Sequence, residues 1–232
     1  QALLTEVNKH HVLALQAAGD PEAAEALAAQ QAIIHNELAR LAELDEKYGQ
    51  SLQLDIELQT IQGAWQAVLE ATENQSSFEI DAKHFQINQH LRRAITRAGN
   101  TSFLILDPDL DTYYMMDSVL LRMPELQDSL NQMMVILRKA EIRGEVREGE
   151  KLALINLSSE ISTSLLPLRS NARVSWDNDE TGQMQQMTAV PLSEIEAKVK
   201  IFLNAVNEQI LLPVQVNFTP ELLESAEAAQ VA

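Results

Sequence analysis

A run of alternating acids is the first part of the sequence that could do chemistry. Asp107, Asp109 and Asp111 have the 1-3-5 spacing of an EF-hand calcium loop. The glycine that such a loop needs at position 6 is Thr112 here, and the glutamate needed at position 12 is Ser118. Calcium is therefore disfavoured. The alternative is a turn followed by a helix. Asp109 or Asp111 would cap that helix, and the negative charges would interact favourably with the positive end of its dipole.

A tyrosine pair follows the acids at once. Tyr113 and Tyr114 are two of the three tyrosines in the chain, and Asp117 comes one helical turn after Tyr113. At that spacing Tyr113 and Asp117 share a helix face, while Tyr114 points about 100° away. A tyrosine offers a flat apolar surface and a hydroxyl that needs a partner. One of the pair suits core packing, and we predict that Tyr113, Tyr114 and Asp117 include ligand contacts.

Three arginines precede this loop on the predicted helix that leads into it. Arg93 and Arg97 are four residues apart on one face, and Arg92 lies beside them. Arginine holds carboxylate, nitrate or phosphate through two parallel hydrogen bonds, so the trio could bind an anion. The alternative is a solvated face with salt bridges to the acidic helices. We predict that Arg92, Arg93 and Arg97 share a pocket with the tyrosine loop.

The net charge excludes some partners and is unevenly distributed. A formal charge of −17 argues against nucleic acid and against an anionic membrane surface, because both need a basic face. Residues 1–91 hold four basic and fourteen acidic residues, and residues 174–232 hold two and nine. Residues 92–173 hold eleven of each. An anionic small molecule, such as an organic acid, meets least repulsion in that neutral centre.

The composition predicts an all-α long-helix bundle. Apolar residues make up 46% of the chain but aromatics only 4%, a balance typical of helices packed by aliphatic side chains. Apolar periodicity predicts helices over residues 2–17, 21–47, 51–72, 80–98, 109–143, 150–175, 191–211 and from 220, with a short one over 180–187. Pro124 should kink its helix near residues 122–123, and Pro167 should kink another.

Catalytic and membrane signals are missing from the sequence. No glycine-rich phosphate loop, serine nucleophile or zinc-protease motif occurs. Cysteine is absent, which excludes disulfides and thiolate metal sites. The five histidines lack metal-ligand spacing, and we assign them structural roles. We therefore predict no enzyme activity, no cofactor and no metal. No apolar run is long enough to cross a membrane.

One segment resembles a known class of domain. Residues 100–117 read NTSFLILDPDLDTYYMMD, and Pro124–Glu125–Leu126 follow. The segment resembles the N-S-x-L-x-L-D-P-D-x-D-S-Y-Y-x-M-D run, followed by L-P-E-L, in all-helical extracytoplasmic sensor regions of bacterial transmembrane receptors. These receptors include methyl-accepting chemotaxis receptors and sensor histidine kinases. Thr112 replaces the usual serine.

The resemblance implies a location, an architecture and a function. Residues 1–232 would be one periplasmic sensor region of an inner-membrane receptor, lying between two transmembrane helices outside this sequence. It would consist of two stacked four-helix modules that share long helices, form a homodimer and bind a small molecule between helices. A ligand would shift one helix relative to another. The alternative is a helical module that docks a periplasmic partner protein.

Overall fold

The protein is described here from a computed structural model covering residues 1–17, 20–74, 76–213 and 215–231, without the side chains of residues 50 and 231. This part of the chain is helical and has no strand, which confirms the all-α prediction. It divides into two compact units, unit 1 (Gln1–Ile105) and unit 2 (Leu106–Ala232). Two stacked four-helix modules remain a prediction.

Unit 1 consists of four helices: α1 (Ala2–Gln16), α2 (Pro21–Leu52), α3 (Asp55–Glu73) and α4 (Ser77–Thr101). Helix α1 packs on α2 and α4, and α3 packs on α4. Their inward faces carry apolar residues at helical spacing and form one core. Its buried members are Leu3, Leu4, Val7, Ile34, Ile61, Trp65, Val68, Ile87 and Leu91.

Helix α2 runs several residues past its predicted end. Its start is as predicted, because Asp20 caps it by accepting the Glu22 N–H at 3.0 Å. The end predicted at residue 47 is wrong, since the helix runs to Leu52 and Gln53 follows as its C-cap, in left-handed conformation with φ of 52°. The reason lies on α4. There Thr101 donates a hydrogen bond to the Leu52 carbonyl at 2.8 Å and so stabilises the extra turn.

Unit 2 begins with a helical run that changes pitch. Helix α5 (Leu110–Asp117) continues through a π-helical turn (Ser118–Arg122) into α6 (Met123–Arg143). The interruption lies where the sequence predicts it, just before Pro124, whose ring removes a backbone donor. A π turn inside an α-helix is a common way to absorb such a break.

Three further helices complete unit 2. They are α7 (Glu148–Asn178), α8 (Gln183–Val206), which continues into a second π turn (Asn207–Leu211), and α9 (Pro220–Val231). Helix α7 packs on α5, α6 and α8, and α9 packs on α6 and α8. The largest fully buried side chains of this unit are Met133, Met134, Leu137, Leu154, Ile161, Phe202, Ile210 and Leu222.

Helix α8 differs from its prediction. The sequence predicts a short helix over residues 180–187 and a new one from Pro191, but one helix covers both and contains Pro191. Asp179 sets the true start, because its carboxylate accepts the N–H groups of Thr181 at 2.8 Å and Met184 at 2.6 Å. The Thr181 hydroxyl, which donates to Asp179 Oδ1 at 2.6 Å, is the largest cause that lowers the pKa of Asp179, and the Met184 N–H acts in the same direction.

Candidate functional site

An open groove in unit 1 collects the three predicted arginines. Its volume is about 570 Å³, and among the described residues Glu57 on α3 is the only contribution from outside α4. The α4 members follow the i, i+3, i+4, i+7 spacing of one helix face, which explains why the sequence could bring the arginines together. They are Gln89, Arg92, Arg93, Thr96, Arg97 and Asn100.

Arg97 is already bound within the fold. Its Nε donates to the Gln53 carbonyl at 2.6 Å, and its Nη1 lies 3.4 Å from Glu57 Oε1. The first contact satisfies a carbonyl at the C-terminal end of α2, where helical partners run out. Arg97 therefore joins α4 to the ends of α2 and α3.

The guanidinium charge of Arg93 is not paired with any residue that the structure describes. The side chain is exposed, and within the described part of the chain it has no ion pair or hydrogen-bond partner. Arg92, one position earlier on the same wall, is half-buried. Three guanidinium groups and one carboxylate give the groove a net positive charge in a chain of −17. An anion is the complementary ligand.

We predict that Arg97→Ala destabilises unit 1 by roughly 1–2 kcal/mol, because it removes a charged hydrogen bond to Gln53 and leaves Glu57 without its ion pair. Arg93→Ala, at an exposed position, should change the free energy of unfolding by less than about 0.5 kcal/mol. Urea denaturation followed by circular dichroism measures both. Equal effects of the two substitutions would contradict the structural role given to Arg97.

Asp117 lies in a polar cluster within unit 2. Its Oδ2 accepts hydrogen bonds from Asn171 Nδ2 at 2.6 Å and Arg122 Nε at 3.1 Å. Asn171 Nδ2 also lies 3.2 Å from Ser118 Oγ. The hydrogen bond to Asp117 is the largest of the contacts that raise the pKa of Arg122. Asp117 thus joins α7 to the π turn, and its contact with a ligand remains a prediction.

The tyrosines contact each other on α5. The rings of Tyr113 and Tyr114 meet edge to face, with centroids 5.4 Å apart and planes at 87°. Tyr113 is 36% exposed and Tyr114 is half-buried. Both belong to unit 2, whereas unit 1 alone lines the arginine groove. The pocket predicted to combine the arginines and the tyrosines remains a prediction.

The alternating acids make local turn contacts. Asp107 Oδ1 accepts the Asp109 N–H at 3.1 Å, and Asp111 Oδ1 accepts the Thr112 N–H at 2.8 Å. Asp109 occupies the N-cap position of α5, but its side chain makes no capping hydrogen bond. Among the described residues, no group of three histidine, cysteine, aspartate or glutamate side chains could hold a metal ion.

A buried histidine pair in unit 1 is the site that sequence reasoning missed. His10 on α1 and His84 on α4 are both fully buried, with His10 Nδ1 2.8 Å from His84 Nε2. His84 Nδ1 lies 2.7 Å from the Ile80 carbonyl, which can only accept. His84 therefore carries its proton on Nδ1, and His10 donates from Nδ1 to His84 Nε2. Both rings are neutral in this arrangement.

Neighbouring polar side chains extend this buried layer. Gln31 Nε2 lies 3.4 Å from His10 Nε2, which accepts. His11 pairs with Asp81 at 2.9 Å, and Asn88 donates to Asn8 at 2.7 Å. The four-residue spacing of His84 and Asn88 was the available signal, since it places two polar side chains on the inward face of α4.

Comparisons with known proteins give no match: no family model fits the chain, and no curated protein or solved structure is significantly similar to it. None of the helices in the described residues has the length and apolar character needed to span a bilayer. The resemblance of residues 100–117 to receptor sensor regions stays a prediction.

Proposed function

We propose that this chain is the extracytoplasmic, periplasmic sensor region of a transmembrane chemotaxis or two-component receptor and that it binds a small organic anion. The observation that carries the proposal is the groove in which Arg92, Arg93 and Arg97 converge. Arg93 supports it most, because its exposed guanidinium has no partner among the described residues. The sequence resemblance of residues 100–117 supports the receptor context and a homodimer.

The groove is linked through Arg97 to the packing of α2 against α4. Arg97 lines the groove and also donates a hydrogen bond to the carbonyl of Gln53, the residue that follows α2. A ligand that engages Arg97 competes with that hydrogen bond, so it favours packings of α2 and α4 that differ from the free state. The size of the shift is limited by the difference in ligand affinity between the two packings.

A thermal-shift screen with citrate, succinate, acetate, nitrate and phosphate tests the proposal. An anion at a hundred times its Kd should add about 2.7 kcal/mol to the free energy of unfolding. We predict that Arg93→Ala lowers the affinity for a hit about tenfold, since one charge-assisted contact is lost. Arg40→Ala is the matched control, because Arg40 is a 71% exposed arginine of unit 1 on α2, outside the groove.

Two results would contradict the proposal. One is equal affinity of the hit for the Arg93 and Arg40 variants, which would place its site elsewhere. The other concerns the receptor context: a full-length gene product without membrane segments on both sides of this region would exclude it.

The alternative, a module that docks a periplasmic protein, has one observation in its favour. Apolar side chains of the segment joining the two units are exposed: Phe103 (70%), Leu104 (48%), Ile105 (41%), Leu106 (70%) and Leu110 (49%). Sedimentation velocity with a purified periplasmic solute-binding protein, using wild type and Phe103→Ser, tests it. A complex that the substitution abolishes would favour docking over direct sensing.

A further inference from the structure

Glu57 is out of place in a groove built only for an anion. Its carboxylate is 19% exposed and lines the groove among three arginines. A carboxylate ligand held by Arg92 and Arg93 would share the groove with the Glu57 carboxylate. The two negative charges would repel each other, unless the ligand also carried a positive charge.

The two oxygens of Glu57 are unequally satisfied. Oε1 faces Arg97 Nη1 at 3.4 Å. Oε2 is buried and accepts no hydrogen bond from any described residue. A buried acceptor without a donor is unfavourable, and a charged acceptor more so. An ammonium group entering beside Glu57 would supply that donor after a small rotation of the carboxylate.

We propose that the ligand of this groove carries both a carboxylate and an ammonium group, the carboxylate on Arg92 and Arg93 and the ammonium on Glu57. This assignment rests on the proposed function, since it uses the same groove. It gives the acid in this groove of three guanidinium groups a ligand contact in addition to its ion pair with Arg97.

The helix geometry sets the separation of the two charges. Glu57 pairs with Arg97, which lies four residues after Arg93 on α4, and four residues span about 6 Å along a helix axis. The amino and carboxylate groups of an α-amino acid are too close together to reach both ends. An ω-amino acid such as 4-aminobutanoate has the necessary length.

The remaining lining residues limit the body of the ligand. Gln89, Thr96 and Asn100 are neutral and polar, so they can accept or donate hydrogen bonds along the groove. Within the part of the chain that the structure describes, no aromatic or aliphatic side chain lines the groove. A short, flexible methylene chain between two charged ends fits this wall better than a large apolar body.

Isothermal titration of the whole protein at pH 7.5 tests the proposal with three probes of the same length. They are 4-aminobutanoate, butanoate, which lacks the ammonium group, and butylammonium, which lacks the carboxylate. Wild type should bind 4-aminobutanoate at least tenfold more tightly than either. Glu57→Gln should lower the affinity for 4-aminobutanoate about tenfold and leave butanoate affinity equal or higher, because repulsion is removed.

The results distinguish failure of the zwitterion assignment from failure of the anion groove itself. If butanoate binds as tightly as 4-aminobutanoate and Glu57→Gln leaves their ratio unchanged, the zwitterion assignment is wrong and the anion groove stands. If no carboxylate binds, or butylammonium binds as tightly as 4-aminobutanoate, both are wrong. Glu57 also lies in the first turn of α3, where an acid stabilises the helix. Urea unfolding of Glu57→Gln therefore checks that the variant is folded.

Discussion

Unit 1 should lose roughly 2–3 kcal/mol of its free energy of unfolding between pH 7 and pH 4.5 through His10, and His84 should add a further loss of the same sign. Burial is the main cause that lowers the pKa of His10 to about 3, and it moves the pKa of His84 well below its ordinary value. Repulsion from neighbouring histidines acts in the same direction.

The sign follows from which state binds the proton. In the unfolded chain both histidines protonate near pH 6.5, while in the folded unit the pKa of His10 is lowered to about 3 and the pKa of His84 lies well below its ordinary value. The unfolded state therefore binds more protons below pH 6.5, and stability falls as the pH falls. For His10, two pH units at about 1.36 kcal/mol each give roughly 2–3 kcal/mol, and His84 adds a loss of the same sign.

The hydrogen bonds explain why the folded unit resists protonation. A proton added to His84 has to enter at Nε2, which already accepts the N–H of His10 at 2.8 Å. A proton added to His10 has to enter at Nε2, against the amide N–H of Gln31 at 3.4 Å. In each case two N–H donors would face each other inside a buried layer, where no water can accept a hydrogen bond from either.

The two tryptophans make the measurement specific to one unit. Trp65 is buried in unit 1, 4.8 Å from the His10 ring, and Trp176 belongs to unit 2. In a Trp176→Phe background, tryptophan fluorescence follows unit 1 alone during urea unfolding at a series of pH values. The double substitution His10→Gln and His84→Gln should remove at least about 2–3 kcal/mol of this loss between pH 7 and pH 4.5.

His35→Gln provides the control, because it removes an imidazole from an exposed position of the same unit. If the double variant keeps the wild-type pH dependence, the buried pair is not its source. A partly destabilised double variant remains informative, since the slope with pH and not the absolute stability is compared.

The features predicted from the sequence are those set by neighbours along the chain. Helices α3 to α7 follow apolar periodicity, and the groove arginines converge because they lie on successive turns of α4. The interruption before Pro124 follows from the missing N–H of proline. Apolar periodicity and helix propensity depend on residues a few positions apart, so the sequence alone is enough to recognise them.

The features not predicted depend on distant partners. Gln53 receives its hydrogen bond from a residue 44 positions away, and His10 and His84 are 74 positions apart. Asn171, the partner of Asp117, lies 54 positions after it. Such pairs arise only when helices pack, so a histidine that looks incidental in the sequence becomes half of a buried pair. Glu57 entered the candidate site in the same way, from a different helix.

The largest effect of a single substitution in unit 2 should come from Phe202→Ala. Phe202 is fully buried on α8, and it belongs to an apolar stripe at helical spacing with Ile195, Val199 and Val206. Replacing a buried phenylalanine with alanine removes apolar burial and leaves a cavity, which costs about 3–5 kcal/mol. The neighbouring Ile201 is 60% exposed, so Ile201→Ala should cost less than about 0.5 kcal/mol.

Urea unfolding at neutral pH separates these outcomes and also tests the division into two units. In the Trp176→Phe background, Trp65 reports unit 1 only, whereas far-ultraviolet circular dichroism reports the helices of both units. If the units unfold separately, Phe202→Ala should move part of the circular dichroism change to lower urea and leave the Trp65 transition in place. A parallel shift of both signals would show one cooperative transition. Equal costs for Phe202→Ala and Ile201→Ala would contradict the packing of α8, because one side chain is enclosed and its neighbour faces solvent.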